Sequence, residues 1–286
     1  MKKQIILVII VTIIISCKRK NAIKLPALIK ADYDTLIKNN LNEIGIANPV
    51  VYSINVNSDS IINLKGKRTY KEGVYSDLNY SKIQKTDSLV ILIGANENSF
   101  HSNAYGYSGP PLPPPPPLSL DSSNDSLEMI THEREYKEMK EKLLNTHYEM
   151  IPVYVYNSSS RTQIIENPHY HGGLHLLVEA KDENNVWKPI EYFEQFNSLC
   201  GTGHVNYSLK SGQFIVAGIK KYSGPFETKL RLKLRSFNSF FYSEEFKGSV
   251  NKNQFNSEEI IQEMKERFEY KGKSKLKEKL DNSFLR

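Results

Sequence analysis

The second half of the chain alternates short apolar runs with turn-forming residues, and this pattern constrains the fold more than any other feature. Asn, Asp, Ser and Gly cluster between the runs, as is typical of tight connections. Short, closely spaced runs of this kind predict a mainly antiparallel sheet structure over residues 148–256. The predicted strands are Ile151–Tyr156, Leu174–Ala180, Trp187–Tyr192, Val205–Leu209, Gln213–Lys220, Thr228–Arg235 and Phe240–Phe246.

The strand predicted over Thr228–Arg235 has the strictest alternation in the chain. Successive side chains of a strand point to opposite faces, so three leucines share one face and four cations share the other. The cations could bind an anionic surface, such as lipid headgroups, lipopolysaccharide phosphates or an acidic glycan. They could equally form a solvated face that pairs with acidic side chains. The leucines are Leu230, Leu232 and Leu234, and the cations are Lys229, Arg231, Lys233 and Arg235.

The predicted strand set resembles an immunoglobulin-like β-sandwich. The resemblance implies two packed antiparallel sheets. No cysteine pair flanks Trp187, so the signature of antibody domains is absent. The resemblance is therefore one of architecture, which implies no particular function.

Residues 28–98 are predicted to form a small α+β unit ahead of the sandwich. Apolar residues at spacings of three and four favour an amphipathic helix from Asp32 onward. Strands are predicted at Pro49–Val56 and Ser88–Ile93. The apolar positions of the predicted helix are Tyr33, Leu36, Ile37, Leu41 and Ile44.

Three further segments complete the predicted layout. Residues 99–125 contain Pro113 to Pro117, which favours a stiff, extended linker, although a docking motif is the alternative. Residues 126–147 are predicted to be helical. Residues 257–286 are predicted as a helix with a Lys-rich tail. The expected fold class is thus α+β overall, with helices flanking the sandwich.

The N-terminus combines four features in a fixed order. Lys2 and Lys3 precede an apolar run from Ile5 to Ile15, and Ser16 and Cys17 follow it. The run is about half of the roughly 20 residues that a membrane-spanning helix requires. The arrangement resembles the lipobox of bacterial lipoproteins. The resemblance implies a signal peptide at 1–16, cleavage before Cys17, and acylation of that cysteine with palmitate-type chains.

Acylation at Cys17 predicts the compartment and the class of partner. Residues 17–27 would form a lipidated tether, and the protein would lie in the cell envelope on the periplasmic or surface side. The outer membrane is favoured over the inner. The net charge of +6 falls to +4 when Lys2 and Lys3 are removed, so nucleic acid is not an expected partner. The expected partners are the membrane, through the lipid, and an envelope protein or glycan.

Two weaker groups of residues favour an alternative function. His169, His171 and His175 are candidate metal ligands, but Pro168 and the glycines after His171 break the spacing. Cys200 and His204 could act as a thiol and a base. Either group would suit a metal- or thiol-dependent hydrolase. The preferred prediction is a non-enzymatic binding or structural module without a cofactor.

Overall fold

The computed structural model describes a chain built mostly from strands, with few helices. The described residues are 23–29, 36–64, 88–94, 99–102, 131, 134–135, 137–138, 147–166, 173–193, 206–268 and 272–285. Within these ranges, no helix is both long enough and apolar enough to cross a bilayer.

The described residues include sixteen strands, two helices with defined bounds, and helical residues between 131 and 138. The strands of the N-terminal part are β1 Ala27–Ile29, β2 Gly45–Ile46, β3 Val50–Val56, β4 Ile61–Asn63, β5 Leu89–Ile93 and β6 Ser99–Ser102. The next strands are β7 His147–Asn157, β8 Gln163–Ile165, β9 Leu176–Lys181, β10 Trp187–Pro189 and β11 Glu191–Tyr192. The last strands are β12 Tyr207–Leu209, β13 Phe214–Lys220, β14 Phe226–Ser236, β15 Ser239–Tyr242 and β16 Phe246–Val250. The helices are α1 Glu258–Phe268 and α2 Lys273–Phe284, and a short 3-10 helix occupies Lys252–Phe255.

Two antiparallel five-stranded sheets organise these strands. The first sheet has the order β3-β13-β7-β5, and β6 also pairs with β7. The second sheet has the order β10-β9-β14-β15, and β16 also pairs with β14. Three small pairs lie outside the sheets: β1–β4 and β2–β11 are parallel, and β8–β12 is antiparallel.

One hydrophobic cluster contains side chains from both sheets. The first sheet contributes Val153 and Val155 of β7, and the second contributes Leu230, Leu232 and Leu234 of β14. All of these side chains are at most 3% exposed. The alternating leucines predicted from the sequence therefore face the core, because every second residue of a strand points to the same side.

The opposite face of the first sheet is covered by the β1–β4 pair, called the ribbon below. Tyr154 of β7 and Phe214 of β13 lie on that face, in a cluster with Ile62 of the ribbon. Leu28 of β1 packs against the same cluster. Strand β7 is thus covered on both faces, which explains its nearly continuous apolar sequence.

The sequence predicted most strands of the second half correctly. Seven predicted strands are confirmed, although Trp187–Tyr192 is divided into β10 and β11. Phe240–Phe246 matches β15, and only its last residue belongs to β16. Strands β8 and β16 were not predicted, because each carries too short an alternation to stand out.

The predicted separate unit over residues 28–98 is wrong in its main feature. Its strands β3 and β5 were predicted correctly, but they pair with β13 and β7 and belong to the first sheet. The helix predicted from Asp32 is absent over residues 36–44. Ile37 instead pairs with β7: its N–H donates to the His147 carbonyl at 2.8 Å, and its own carbonyl accepts from Glu149 N–H at 3.0 Å. Pairing with a neighbouring strand thus overrides the helical spacing.

The flanking segments differ from the predictions in detail. The linker predicted at 99–125 begins with β6, which pairs with β7. Its proline run lies outside the described residues. The helix predicted over 126–147 is helical at the described residues between 131 and 138, and His147 already belongs to β7. The C-terminal helix is confirmed as α1, but the expected Lys-rich tail forms α2, where Lys275–Glu278 and Lys277–Asp281 ion pairs link successive turns.

Candidate functional site

The outer face of the second sheet carries the cations that the sequence placed there. Along β14, Lys229, Arg231, Lys233 and Arg235 alternate with buried leucines, as predicted. Aromatic side chains from β10 and β15 lie among them. We call Trp187, Arg231, Lys233, Phe240 and Tyr242 the aromatic–cation surface.

Arg231 lies at the centre of this surface and is held from three sides. Its guanidinium carbon lies 4.3 Å from the Trp187 ring centre and 4.4 Å from that of Tyr242. Its Nε and Nη2 lie 2.7 and 2.6 Å from Oε2 of Glu179. A planar guanidinium suits both contacts at once, because it can stack on rings and bind a carboxylate in the same plane. The side chain is therefore held in one orientation by its neighbours.

The other cations of β14 have partners of their own. Lys233 lies 3.4 Å from Glu179 Oε1 and 4.9 Å from the Phe240 ring centre. Lys229 lies 2.7 Å from Glu245, which also accepts from Lys181 at 3.2 Å. Arg235 donates to Asn282 of α2 at 2.6 Å.

These contacts bear on the two interpretations of the four β14 cations, as a binding surface or as a solvated face. Glu179 and Glu245 together contact four cations of this face, as the solvated-face interpretation expects. The face still carries more cations than carboxylates, and two of its rings are well exposed: Tyr242 at 46% and Phe240 at 39%. The arrangement is therefore a rigid, partly apolar surface with an excess of positive charge.

A cleft of about 450 Å³ adjoins the aromatic–cation surface. Phe240 and Arg235 form its sheet side, and residues of α2 form the other. Asn282, Glu278 and Asp281 give the helical wall polar and acidic groups. The aromatic–cation surface thus borders a concavity between the second sheet and α2.

A second polar group lies inside the fold and was not predicted. Glu191 of β11 is 3% exposed, and its Oε1 accepts from the Tyr222 hydroxyl at 2.5 Å. Its Oε2 accepts from Val178 N–H at 2.8 Å. Lys220 Nζ donates to the Ile46 carbonyl at 2.9 Å. The available sequence signal was a single carboxylate between apolar neighbours in a predicted strand.

Burial determines the ionisation of this group. It raises the pKa of Glu191 above its ordinary value, although the charge of Lys220 and the two hydrogen bonds oppose the shift. Burial likewise lowers the pKa of Lys220, against the attraction of Glu191. The hydrogen bonds join β11 to β9 and to Tyr222 just beyond β13, so the group connects the two sheets. We interpret it as a structural network.

The predicted metal and thiol residues are only partly described. His175 is 5% exposed and packs against Phe193, with ring centres 5.1 Å apart, so it is part of the interior. His169, His171, Cys200 and His204 lie outside the described residues, as does Cys17. In the part of the chain that the structure describes, no three His, Cys, Asp or Glu side chains are grouped to hold a metal ion.

Comparisons of the chain with protein-family models, with curated proteins and with solved structures found no match.

Proposed function

We propose that this protein is a lipid-anchored, non-enzymatic binding module of the bacterial cell envelope. Acylated Cys17 would hold it on the membrane, and the aromatic–cation surface would bind a partner protein. The observation that carries the binding role is Arg231, which is stacked between Trp187 and Tyr242 and fixed by Glu179. An arginine held in this way costs little further ordering when a partner binds.

The order of the strands supports an immunoglobulin-like sandwich as the scaffold. In that architecture one sheet has the order A-B-E-D and the other contains C, F and G, with C′ added in variable-type domains. The series β5-β7-β13 fits A-B-E, and β10-β9-β14-β15 fits C′-C-F-G. Strand β3, from the N-terminal part of the chain, takes the place of D. The aromatic–cation surface then lies on the C′-C-F-G sheet.

The chemistry of the surface favours a protein partner with acidic groups. Trp, Tyr and Arg are the residues enriched at the energetic centres of protein interfaces. The excess of cations complements acidic side chains, which would increase the rate of association. The adjoining cleft can receive one protruding side chain of the partner. A bare anionic membrane has no protruding side chain to enter the cleft. Glu179 and Glu245 also already form ion pairs with four of the cations, which leaves less charge to attract headgroups.

Substitution of the anchoring cysteine tests the location. We expect the protein to be recovered in the membrane fraction with a mass that includes acyl chains, and Cys17→Ser to abolish both, because that thiol is the acylation site. Mass spectrometry and membrane fractionation measure the two properties. If Cys17→Ser remains in the membrane fraction without any change in mass, the proposed anchor is wrong.

Substitution of the two rings that stack on Arg231 tests the surface. We expect Trp187→Ala and Tyr242→Ala to reduce the complex recovered by cross-linking in cells by about tenfold, since each removes a ring from the centre of the interface. Lys210→Ala, at an exposed turn, is the matched control and should change nothing. Equal recovery from all three variants would contradict the proposed surface.

A vesicle assay separates the protein partner from a lipid one. Replacing Lys229, Arg231, Lys233 and Arg235 with Gln should leave binding to anionic vesicles unchanged if the surface meets a protein. A large loss of vesicle binding would instead show that these four cations bind lipid headgroups.

A further inference from the structure

The ribbon leaves an apolar face uncovered on the side away from the core. Its strands are parallel and in register, with Ala27 opposite Ile61 and Ile29 opposite Asn63. Leu28 and Ile62 point inward to the first sheet, so the residues on either side of them point outward. Ile61 is 66% exposed and Ile29 is 46% exposed. Isolated exposed side chains are ordinary, but these share one small face.

The residues just before the ribbon also combine exposed apolar side chains with cations. Ile23 is 37% exposed, and Lys24 beside it is also exposed. Lys18, Arg19 and Lys20 precede them in the sequence. Exposed apolar side chains beside cations are the composition of protein segments that lie at an anionic bilayer surface.

The length of the tether sets how far this face can lie from the membrane. Ile23 is six positions after Cys17 in the chain. A fully extended chain advances at most about 3.6 Å per residue, so Ile23 lies within about 22 Å of an acylated Cys17. Ala27, at the start of the ribbon, lies within about 36 Å. Along the chain, the ribbon is the first described element after the anchor.

We propose that the outer face of the ribbon, with Ile23, Ile29 and Ile61, rests on the anionic membrane surface and fixes the orientation of the domain. This inference rests on the proposed lipid anchor and goes beyond it, because a lipid on a tether leaves the domain free to turn. The isoleucines reach the boundary between headgroups and acyl chains, and Lys24 meets the phosphates. The ribbon packs on the far side of the first sheet from the second. The aromatic–cation surface therefore faces away from the bilayer, towards its partner.

An environment-sensitive fluorophore on the ribbon tests this orientation. The lipidated full chain, with Cys200→Ser, would carry the label at Ile61→Cys or Ile29→Cys and be reconstituted in vesicles containing anionic lipid. Val186→Cys is the matched control, since Val186 is an apolar residue of comparable exposure, 52%, in the turn before β10. We expect both ribbon labels to shift their emission to shorter wavelength and to be quenched by brominated acyl chains. The label at residue 186 should do neither.

Each outcome decides between the anchor and the ribbon. If the protein sediments with vesicles while both ribbon labels report water, the anchor stands and the ribbon proposal is wrong. Quenching at residue 186 equal to that at the ribbon would also overturn the proposed orientation. A protein without acyl chains that stays in the supernatant contradicts the anchor, and the ribbon proposal fails with it.

Discussion

Replacing Glu191 with Ala should lower the free energy of unfolding by about 3 kcal/mol, because the change removes a buried acceptor from two donors at once. The Tyr222 hydroxyl and Val178 N–H would lose this acceptor, and Lys220 would lose the nearby negative charge that opposes its desolvation. Urea denaturation followed by circular dichroism measures the difference. Glu191→Gln is the control, since it keeps a carbonyl oxygen in place. It should cost only about 1 kcal/mol.

The same carboxyl group should make stability depend on pH in a defined direction. Burial raises the pKa of Glu191 in the folded protein above its ordinary 4.5. Between pH 4.5 and the raised pKa, the folded protein keeps a proton that the unfolded chain has already released. Glu191 therefore favours folding on the acidic side, and the free energy of unfolding falls as pH rises from 4.5 through the raised pKa. Lys220 acts with the opposite sign on the alkaline side, because burial lowers its pKa from 10.5. Denaturation at about pH 5 and about pH 7 should show a larger decline in the wild type than in Glu191→Gln. Identical declines would contradict the assignment.

Replacing Glu179 with Ala should destabilise the protein by about 2 kcal/mol, because Arg231 and Lys233 would share a confined site without a carboxylate. Their side chains are 23% and 13% exposed, and that of Glu179 is 6% exposed. The cations repel each other, and the low exposure limits the water that can compensate them. Thermal unfolding measures the loss. It should be accompanied by weaker cross-linking to the partner, since Arg231 would no longer be fixed between its rings.

The second ion-pair centre of the same face provides the control for this prediction. Glu245 contacts Lys181 and Lys229, but its side chain is 40% exposed and that of Lys229 is 60% exposed. Ion pairs open to water contribute little, so Glu245→Ala should lower the unfolding temperature far less than Glu179→Ala. If both substitutions cost the same, the confinement of Arg231 is not what makes Glu179 important.

The sequence predicted local features where one strand face meets the core and the other meets solvent. The alternation of Leu230, Leu232 and Leu234 with cations was enough to predict β14 and the face on which its charges lie. It could not predict their partners, because Glu179 and Tyr242 lie on other strands and are brought close only by the register of the second sheet. In the sequence, Trp187 mattered only because no cysteine pair flanks it. Its contact with Arg231 is a property of the folded sheet.

Long-range pairing also explains the largest errors. Residues 36–44 carry a helical spacing, but the backbone of Ile37 pairs with β7 more than a hundred positions away. The same holds for β3, whose residue Val56 pairs with Phe214. A local pattern carries no information about such partners, so the segment looked like a unit of its own. Glu191 was missed for a related reason: its two donors, Val178 N–H and the Tyr222 hydroxyl, lie 13 and 31 positions away in the chain.

The position of β13 has a consequence for the order in which the protein can fold. This strand lies between β3 and β7 and is the neighbour that joins them, yet it follows both in the chain. A chain that emerges N-terminus first therefore presents β3 and one edge of β7 with unpaired backbone groups until residue 220 has appeared. Pairings over such distances form slowly, and open strand edges invite association with other chains. We therefore expect the newly made chain to be most open to association with other chains before its middle strand arrives, and the first sheet to be completed only then.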